Sequence, residues 1–555
     1  MESSRGILVL ALAFISFLLF QKWQEDYGPK PQPTTSEQIV EQPKSNESVA
    51  ANVTEQPADN SKAVVANNAT VAEVITLSNE VLTVQVNTLG GTVVSSILTQ
   101  FSNTQENPDD HVQLLTSRAH RTYVAASELS GAGAPENAKQ QVIYRVASKP
   151  TADKPELILE WTNEQGIVFE KIFKMHENQY DIDVFYRVKN TTATNHEYTL
   201  TTQLIRDRIE LDTDTSGFGM QTYLGAAYST QESQFEKYDF DDMDDAPLAV
   251  ITQGGWISFI QHYFISAWIP NKESVNKITT QYDKAKRVYI VGVEQDKLAV
   301  AAGQTQEFHA KLYLGPKDQD VLASLAPGLD LTVDYGIFWW LGQPIFWLLT
   351  MFQGFVSNWG VAIILVTITV KIFLYPLANA QYRSFAKMRL LQPKLEQLKE
   401  RYGEDRQRMS QAMMEMYKKE KVNPLGGCLP LLIQMPVFLA LYWVLMESVE
   451  IRQADFALWI TDLSAKDPYF VLPILMGISM WLMQKMQPTS PTMDPMQLKI
   501  MQMLPVMMTV FFIFFPAGLV LYWLVNNLLS IAQQVYITKK IEKEHAAGKN
   551  NSKKK

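Results

Sequence analysis

From residue 73 onward the chain alternates apolar and polar positions. VLTVQV (81–86) and TVVSSIL (92–98) turn an apolar side chain to one face at every second residue, with Gly90-Gly91 as the turn between them. That is the pattern of a hairpin. LILEWT (157–162), the turn NEQG, IVFEKIF (167–173) and YDIDVFYRV (180–188) repeat it. Strands at this spacing predict a twisted antiparallel sandwich over 73–335. Past Gly336 the alternation stops, and the 42 residues to Leu377 carry a single charge. As one helix they would be roughly 63 Å long at about 1.5 Å per residue, twice a bilayer. Trp339, Trp340 and Trp347, with a break at Gly342-Gln343-Pro344, predict an amphipathic interfacial helix over 336–357 and a span over 358–378.

The segment 379–423 then turns polar, with eleven Lys+Arg and six Asp+Glu. Met388, Leu391, Leu395, Leu398 and Tyr402 are spaced 3-4-3-4, and Met409, Met413 and Met416 follow after Gly403-Glu404-Asp405. These stripes predict a coiled-coil helical hairpin on the cytoplasmic side. Residues 424–537 hold four further apolar runs, the last pair split at Phe515-Pro516-Ala517-Gly518, and 538–555 is a lysine-rich tail. At the other end, Arg5 precedes the apolar run Gly6–Phe20, and Gln21–Glu25 offers no small-residue cleavage site. This reads as a signal anchor over 1–23, the alternative being a cleaved signal. Residues 24–72, rich in Pro, Gln, Thr and Ser, read as a flexible tether. Counting sides, six spans place the basic tail on the same side as the basic hairpin and five would not. The expected architecture is a multi-domain membrane protein: an α-helical six-span part (five-helix core plus N-terminal anchor), a large exoplasmic antiparallel β-supersandwich, and a cytoplasmic helical hairpin.

Charge agrees with that division. Residues 24–335 hold 24 Lys+Arg against 43 Asp+Glu, a net of −19, whereas the remainder is +10. The basic part could bind nucleic acid by charge alone, but its charges interrupt long apolar runs, which is the mark of membrane topology. No GxxxxGK[ST], HExxH, CxxC or GxSxG motif occurs, and the histidines show no metal-ligand spacing. Nucleotide, zinc and hydrolase chemistry are therefore unsignalled, no cofactor is expected, and the chain does not read as an enzyme. Its one cysteine, Cys428, leaves the sandwich without a disulfide.

Candidate chemistry sits in the apolar runs. Lys371 lies inside VAIILVTITVKIFLYPL (361–377), with Thr367 one helical turn before it. A charge at the centre of a membrane helix costs about 2.5–3.5 kcal/mol and faces protein or a watery cavity; the alternative is a stem that snorkels to the interface. Gln434 lies between Pro430 and Pro436, and Asn526, Asn527 and Ser530 interrupt the last run. Such groups converge, meet water, or bond between helices. No carboxylate falls in an expected span core, which favours water beside Lys371 and counts against a proton-coupled transporter. The methionines at 476, 480, 483 and 486 suit a surface that accepts varied apolar partners, or simple packing.

KVNPLGGCLPLLIQMPVFLALYWVLMESVE (421–450), FALWITDLSAKDPYFVLPILMG (456–477) and FFPAGLVLYWLVNN (514–527) closely resemble the YidC-type membrane protein insertases, kin of the Oxa and Albino insertases of organelles. The resemblance covers nearly the whole chain. It implies insertion and folding of nascent membrane proteins into the bacterial inner membrane, alone or with the Sec translocon, without nucleotide hydrolysis. It further implies a hydrophilic groove lined by Lys371, Thr367, Gln434, Met435, Phe438, Tyr522, Trp523 and Asn526. The implied partners are membrane protein clients, the Sec translocon with its accessory subunits, the ribosome at the hairpin and basic tail, and lipid. The implied placement is multi-pass, with both termini cytoplasmic and the β domain periplasmic. Lys371 falls where that family usually has arginine, so it keeps the charge and loses the bidentate fork. The rival classes are a solute or ion transporter with an exoplasmic accessory domain, and an anchored sugar-binding or sugar-modifying protein.

Overall fold

A computed structural model describes residues 63–66, 71–136, 140–208, 222–403, 405–420, 429–487 and 495–552. The expected signal anchor (1–23), most of the tether (24–72), Cys428 and Lys553–Lys555 lie outside the described residues.

The alternating region forms a sandwich of a nine-stranded and an eleven-stranded sheet, whose strand pairs are antiparallel. Leu82–Asn87 and Thr92–Ser102 form the first expected hairpin, with Leu82 opposite Leu98. Glu156–Thr162, Val168–Met175 and Asp181–Lys189 form the second group. The alternation has its cause in the core. Val84, Val86 and Leu129 from one sheet meet Leu157, Phe169, Val184 and Leu312 from the other, all fully buried. The outward face carries ion ladders such as Glu170–Arg187–Glu307, at 2.9 and 2.8 Å. Among the described residues two α-helices belong to this part: α1 (Phe240–Asp245), capped by Asp239, and α2 (Gln319–Leu325), capped by Asp318.

The C-terminal part is helical: α3 (Trp339–Val356), α4 (Trp359–Phe373), α5 (Tyr375–Tyr402), α6 (Arg406–Lys419), α7 (Leu429–Glu447), α8 (Val471–Met486), α9 (Pro495–Phe512) and α10 (Ala517–Ser552). Helix α3 turns Ile345 and Leu349 inward and leaves Trp339, Trp340, Trp347 and Phe355 exposed. It runs through Pro344 where the sequence suggested a break. Proline that near a helix start removes one backbone bond, and Gly342 beside it lets Tyr335 pack against the backbone.

Two further differences concern helix ends. The expected span 358–378 ends as a helix at Phe373, where the chain bends by 68° into α5. Pro376 in the first turn of α5 explains this, because its fixed φ suits a helix start and its ring disfavours continuation of the one before. Helix α5 therefore begins before the expected hairpin and packs Tyr382 and Ala386 against Ile537 and Ile541 of α10. Helix α10 in turn runs on to Ser552, so the lysine-rich tail continues it as helix over 538–552. Helices α5 and α6 fold back on each other with Leu391, Leu395 and Met409 buried and Lys394 paired to Glu420 at 2.6 Å.

Among the described residues no single helix is long and apolar enough to cross a membrane; α4 and α5 pass that test together, across their bend. The helices share a core of Leu349, Val366, Leu441, Leu445, Met476 and Val520. Helices α8 and α9 approach so closely that a Cβ at Gly477 would overlap Thr509 Oγ1, the small-residue contact usual between membrane helices.

Candidate functional site

Helix α10 is the hub of the polar groups. Its residues 522, 526 and 530 recur every four positions and so occupy one face. Ser530 Oγ donates to the carbonyl of Asn526 at 2.7 Å and accepts from Lys371 Nζ at 2.8 Å. Across the same face, Gln434 Nε2 of α7 donates to Tyr522 Oη at 2.9 Å and to Asn526 Oδ1 at 3.3 Å. Hydrogen bonds thus lead from Lys371 on α4, over α10, to Gln434 on α7. Aromatic rings close the end of the path nearer the sandwich. Phe438 meets Trp523 edge-on at 4.6 Å between centroids and stacks on Tyr522 at 6.4 Å. Trp523 Nε1 is buried with no partner among the described residues.

Lys371 is half-buried, and among the described residues no carboxylate pairs with it. A hydroxyl is a weak companion for an ammonium, so most of its charge is uncompensated by protein. The opposite face of α10 is tied down differently: Asn527 Nδ2 donates to Ser479 Oγ at 2.9 Å and Gln534 Nε2 to the Met486 carbonyl at 3.1 Å, both on α8. Both hold α8 to α10, and the Asn527–Ser479 bond is buried. Polar residues on α10 therefore split into a set bonded to α8 and a set bonded to α4 and α7.

Of the residues expected in the groove, contacts bring together Lys371, Gln434, Phe438, Tyr522, Trp523 and Asn526. Thr367 is set apart: it is buried, and its hydroxyl bonds the Ile363 carbonyl of its own helix at 2.7 Å. Met435 faces outward, 53% exposed. Ser530 joins the path although sequence reasoning had singled it out only as an interruption of an apolar run. Its spacing of four from Asn526 was the available signal.

Two family models match the chain: the YidC periplasmic domain over residues 74–348 and the 60Kd inner membrane protein over 351–544. A "Membrane protein insertase YidC" of Aeromonas salmonicida is 48% identical, over 98% of this chain and 99% of its own. That of Shewanella woodyi is also 48% identical, with the same coverage. The chain belongs to the YidC family of membrane protein insertases. An insertase crystal structure described as active, with its first transmembrane domain resolved, aligns over 83% of this chain and 91% of that one, at 18% identity and a TM-score of 0.37. As an insertase of this family, the protein joins a periplasmic sandwich to an inner-membrane helical part and acts on membrane protein clients in contact with lipid. The polar path around Lys371 lies wholly within the inner-membrane part.

Proposed function

We propose that the insertase moves its clients along the face where α4, α7 and α10 present Lys371, Gln434, Asn526 and Tyr522. Six spans (the anchor 1–23, α4, α7, α8, α9 and α10) hold this face open to water and lipid, with both termini and the α5–α6 hairpin cytoplasmic. Lys371 draws in an acidic or polar segment that must cross, while the client's apolar helix slides along α7 and α9 into lipid. The observation that carries this reading is the Lys371–Ser530 hydrogen bond at 2.8 Å with no carboxylate partner among the described residues, because it leaves a cation available to a passing anion.

Helix length supports a lowered barrier. Helix α8 has 16 residues and α4 has 15, so they extend about 24 and 22 Å at 1.5 Å per residue. The hydrocarbon layer they meet is about 30 Å thick, and short helices thin a bilayer locally. Burial of the client's apolar segment, at roughly 25 cal/mol per Å², then drives insertion without nucleotide. Docking to the Sec translocon and to a ribosome, the latter through the hairpin and basic tail, belongs to the same reading. Reconstitution into liposomes with a small single-span client tests it against a transporter. Insertion without any soluble cofactor supports the proposal, whereas solute flux without insertion overturns it.

A further inference from the structure

Sandwich and helices meet on the C-terminal end of α7, and the contact is charged. Lys317 directly follows the strand Thr305–Pro316, and Glu447 is the last residue of α7. Lys317 Nζ lies 2.7 Å from Glu447 Oε2, with the two side chains only 2% and 4% exposed. His262, on the turn before the strand Phe264–Pro270, donates from Nε2 to the Met446 carbonyl at 2.8 Å. Burial, then the Lys317 charge, pushes this imidazole down to about 3, so it donates as the neutral ring. Just beyond α7, Arg452 donates to the Ser102 carbonyl at 2.7 Å, and Gln105 donates to the carbonyls of Gln453 and Thr461 at 3.0 and 2.6 Å. At Gly336, φ is +63° and Trp443 Nε1 stands 2.9 Å from where a Cβ would be, so the chain leaving the sandwich lies against α7 as well.

A buried ion pair is a poor device for stability, since apolar groups of the same size pack there as well without losing hydration. What it does supply is one defined geometry. Glu447 stands nine residues from Phe438 and thirteen from Gln434 on the same helix, about 14 and 20 Å away at 1.5 Å per residue. A helix carries a displacement of its end along its axis. Phe438 and Gln434 of α7 touch Tyr522, Trp523 and Asn526 of α10.

We propose that Lys317 is a positioning residue for insertion: through Glu447 the sandwich fixes the end of α7, and with it the separation of α7 and α10 along the client path. This rests on the insertion path proposed above, and the test separates the two. Full-length protein in a Cys428→Ser background, spin-labelled at the exposed positions Met435 and Leu528, gives the distance distribution between α7 and α10. Insertion of a single-span client into proteoliposomes gives the rate. Lys317→Met, which strands the Glu447 carboxylate, should broaden the distribution and slow insertion about tenfold. The exchange Lys317→Glu with Glu447→Lys should restore both. The apolar pair Lys317→Met with Glu447→Leu, which buries no lone charge, should melt like the parent yet keep the broad distribution, and it provides the reading if Lys317→Met alone does not fold. Parent-like distances and rates in Lys317→Met, or a folded exchange variant that restores neither, would overturn the inference. Lys371→Ala, run alongside, should slow insertion with the distances unchanged. An unaffected rate there would overturn the role of Lys371 and leave the positioning role standing.

Discussion

Lys371→Ala removes the single charge of α4. The amine it deletes donates to Ser530 at 2.8 Å and has no carboxylate partner among the described residues, so its attraction for a client anion is not cancelled within the protein. Two unit charges about 4 Å apart attract by about 1 kcal/mol in bulk water and about 4 kcal/mol at an effective dielectric of about 20. A half-buried ammonium lies between these limits. At about 1.4 kcal/mol per decade, the substitution should slow insertion of a client with an acidic translocated segment by about 5- to 1000-fold. Lys371→Arg keeps the charge and should stay within about threefold of the parent. The assay is protease protection of the translocated segment in proteoliposomes, with two versions of one client that differ only in Asp/Glu against Asn/Gln. The acidic version should lose most and the neutral version little. Raising salt should narrow the gap in the parent, since exposed charges are screened over about 8 Å at 0.15 M. An equal loss for both clients would refute the electrostatic reasoning and leave the lysine a packing or hydrogen-bonding role.

Three further expectations follow from particular contacts. Gln434→Leu removes the bonds to Tyr522 and Asn526; thermal unfolding in detergent should shift by no more than about 1 kcal/mol, given about 0.6 kcal/mol per such bond, while insertion of clients with polar translocated segments slows several-fold. Glu136 is buried in the sandwich, and burial pushes its carboxyl up to about 7, against the Lys171 charge and hydrogen bonds from Tyr144 and the Leu129 amide. An unfolded glutamate ionises near 4.5, so the stabilising effect of the neutral form is complete below that pH and is lost as pH rises through about 7; sandwich stability measured by denaturant titration should fall by about 3 kcal/mol across this window, and Glu136→Gln should flatten the profile. Finally, co-sedimentation with ribosomes in detergent should fall on truncating 539–555 and again on neutralising Arg401, Arg406 and Arg408, with steep salt dependence; binding unchanged at low and moderate salt would reduce these charges to topology signals.

The sandwich was legible because its signal is local. One face of each strand meets a shared core, so the period of two appears in any six residues, as in VLTVQV, and Gly90-Gly91 marks the turn at which φ becomes positive. The split between α9 and α10 at Pro516 was readable for the same reason. Helix ends were not. Pro376 carried the signal for the bend after Phe373, but the hydropathy of the run on both sides outweighed it. The lysines after Tyr536 hid the spacing of four between Ile537 and Ile541, which pack on α5. Much of the polar path was legible as polar residues in apolar runs. The separation of Thr367 from Lys371 was not, because a threonine that bonds its own helix and one that faces a cavity look alike in sequence. Least legible was Lys317–Glu447, whose partners stand 130 residues apart with nothing local to join them.

The two ends of α7 are held by different physics. At its C-terminal end an ion pair is sealed from water, where removal of one partner strands a charge at a cost of about 3–5 kcal/mol. Nearer its start, Gln434 makes two neutral bonds, at 2.9 and 3.3 Å, each of the kind that averages about 0.6 kcal/mol between membrane helices. Water or a passing polar segment can replace those bonds almost in kind, whereas neither can replace the buried pair. Lys371 belongs to the replaceable set, since a client carboxylate would be a better partner for its ammonium than the Ser530 hydroxyl is. An arrangement with every contact strong would lock α7 and α10 together, and one with every contact weak would leave Phe438 without a fixed position against Trp523. On the proposed reading, strong contacts at the sandwich and exchangeable ones around Lys371 would let the path open to a client at one end while the helices that line it stay in register at the other.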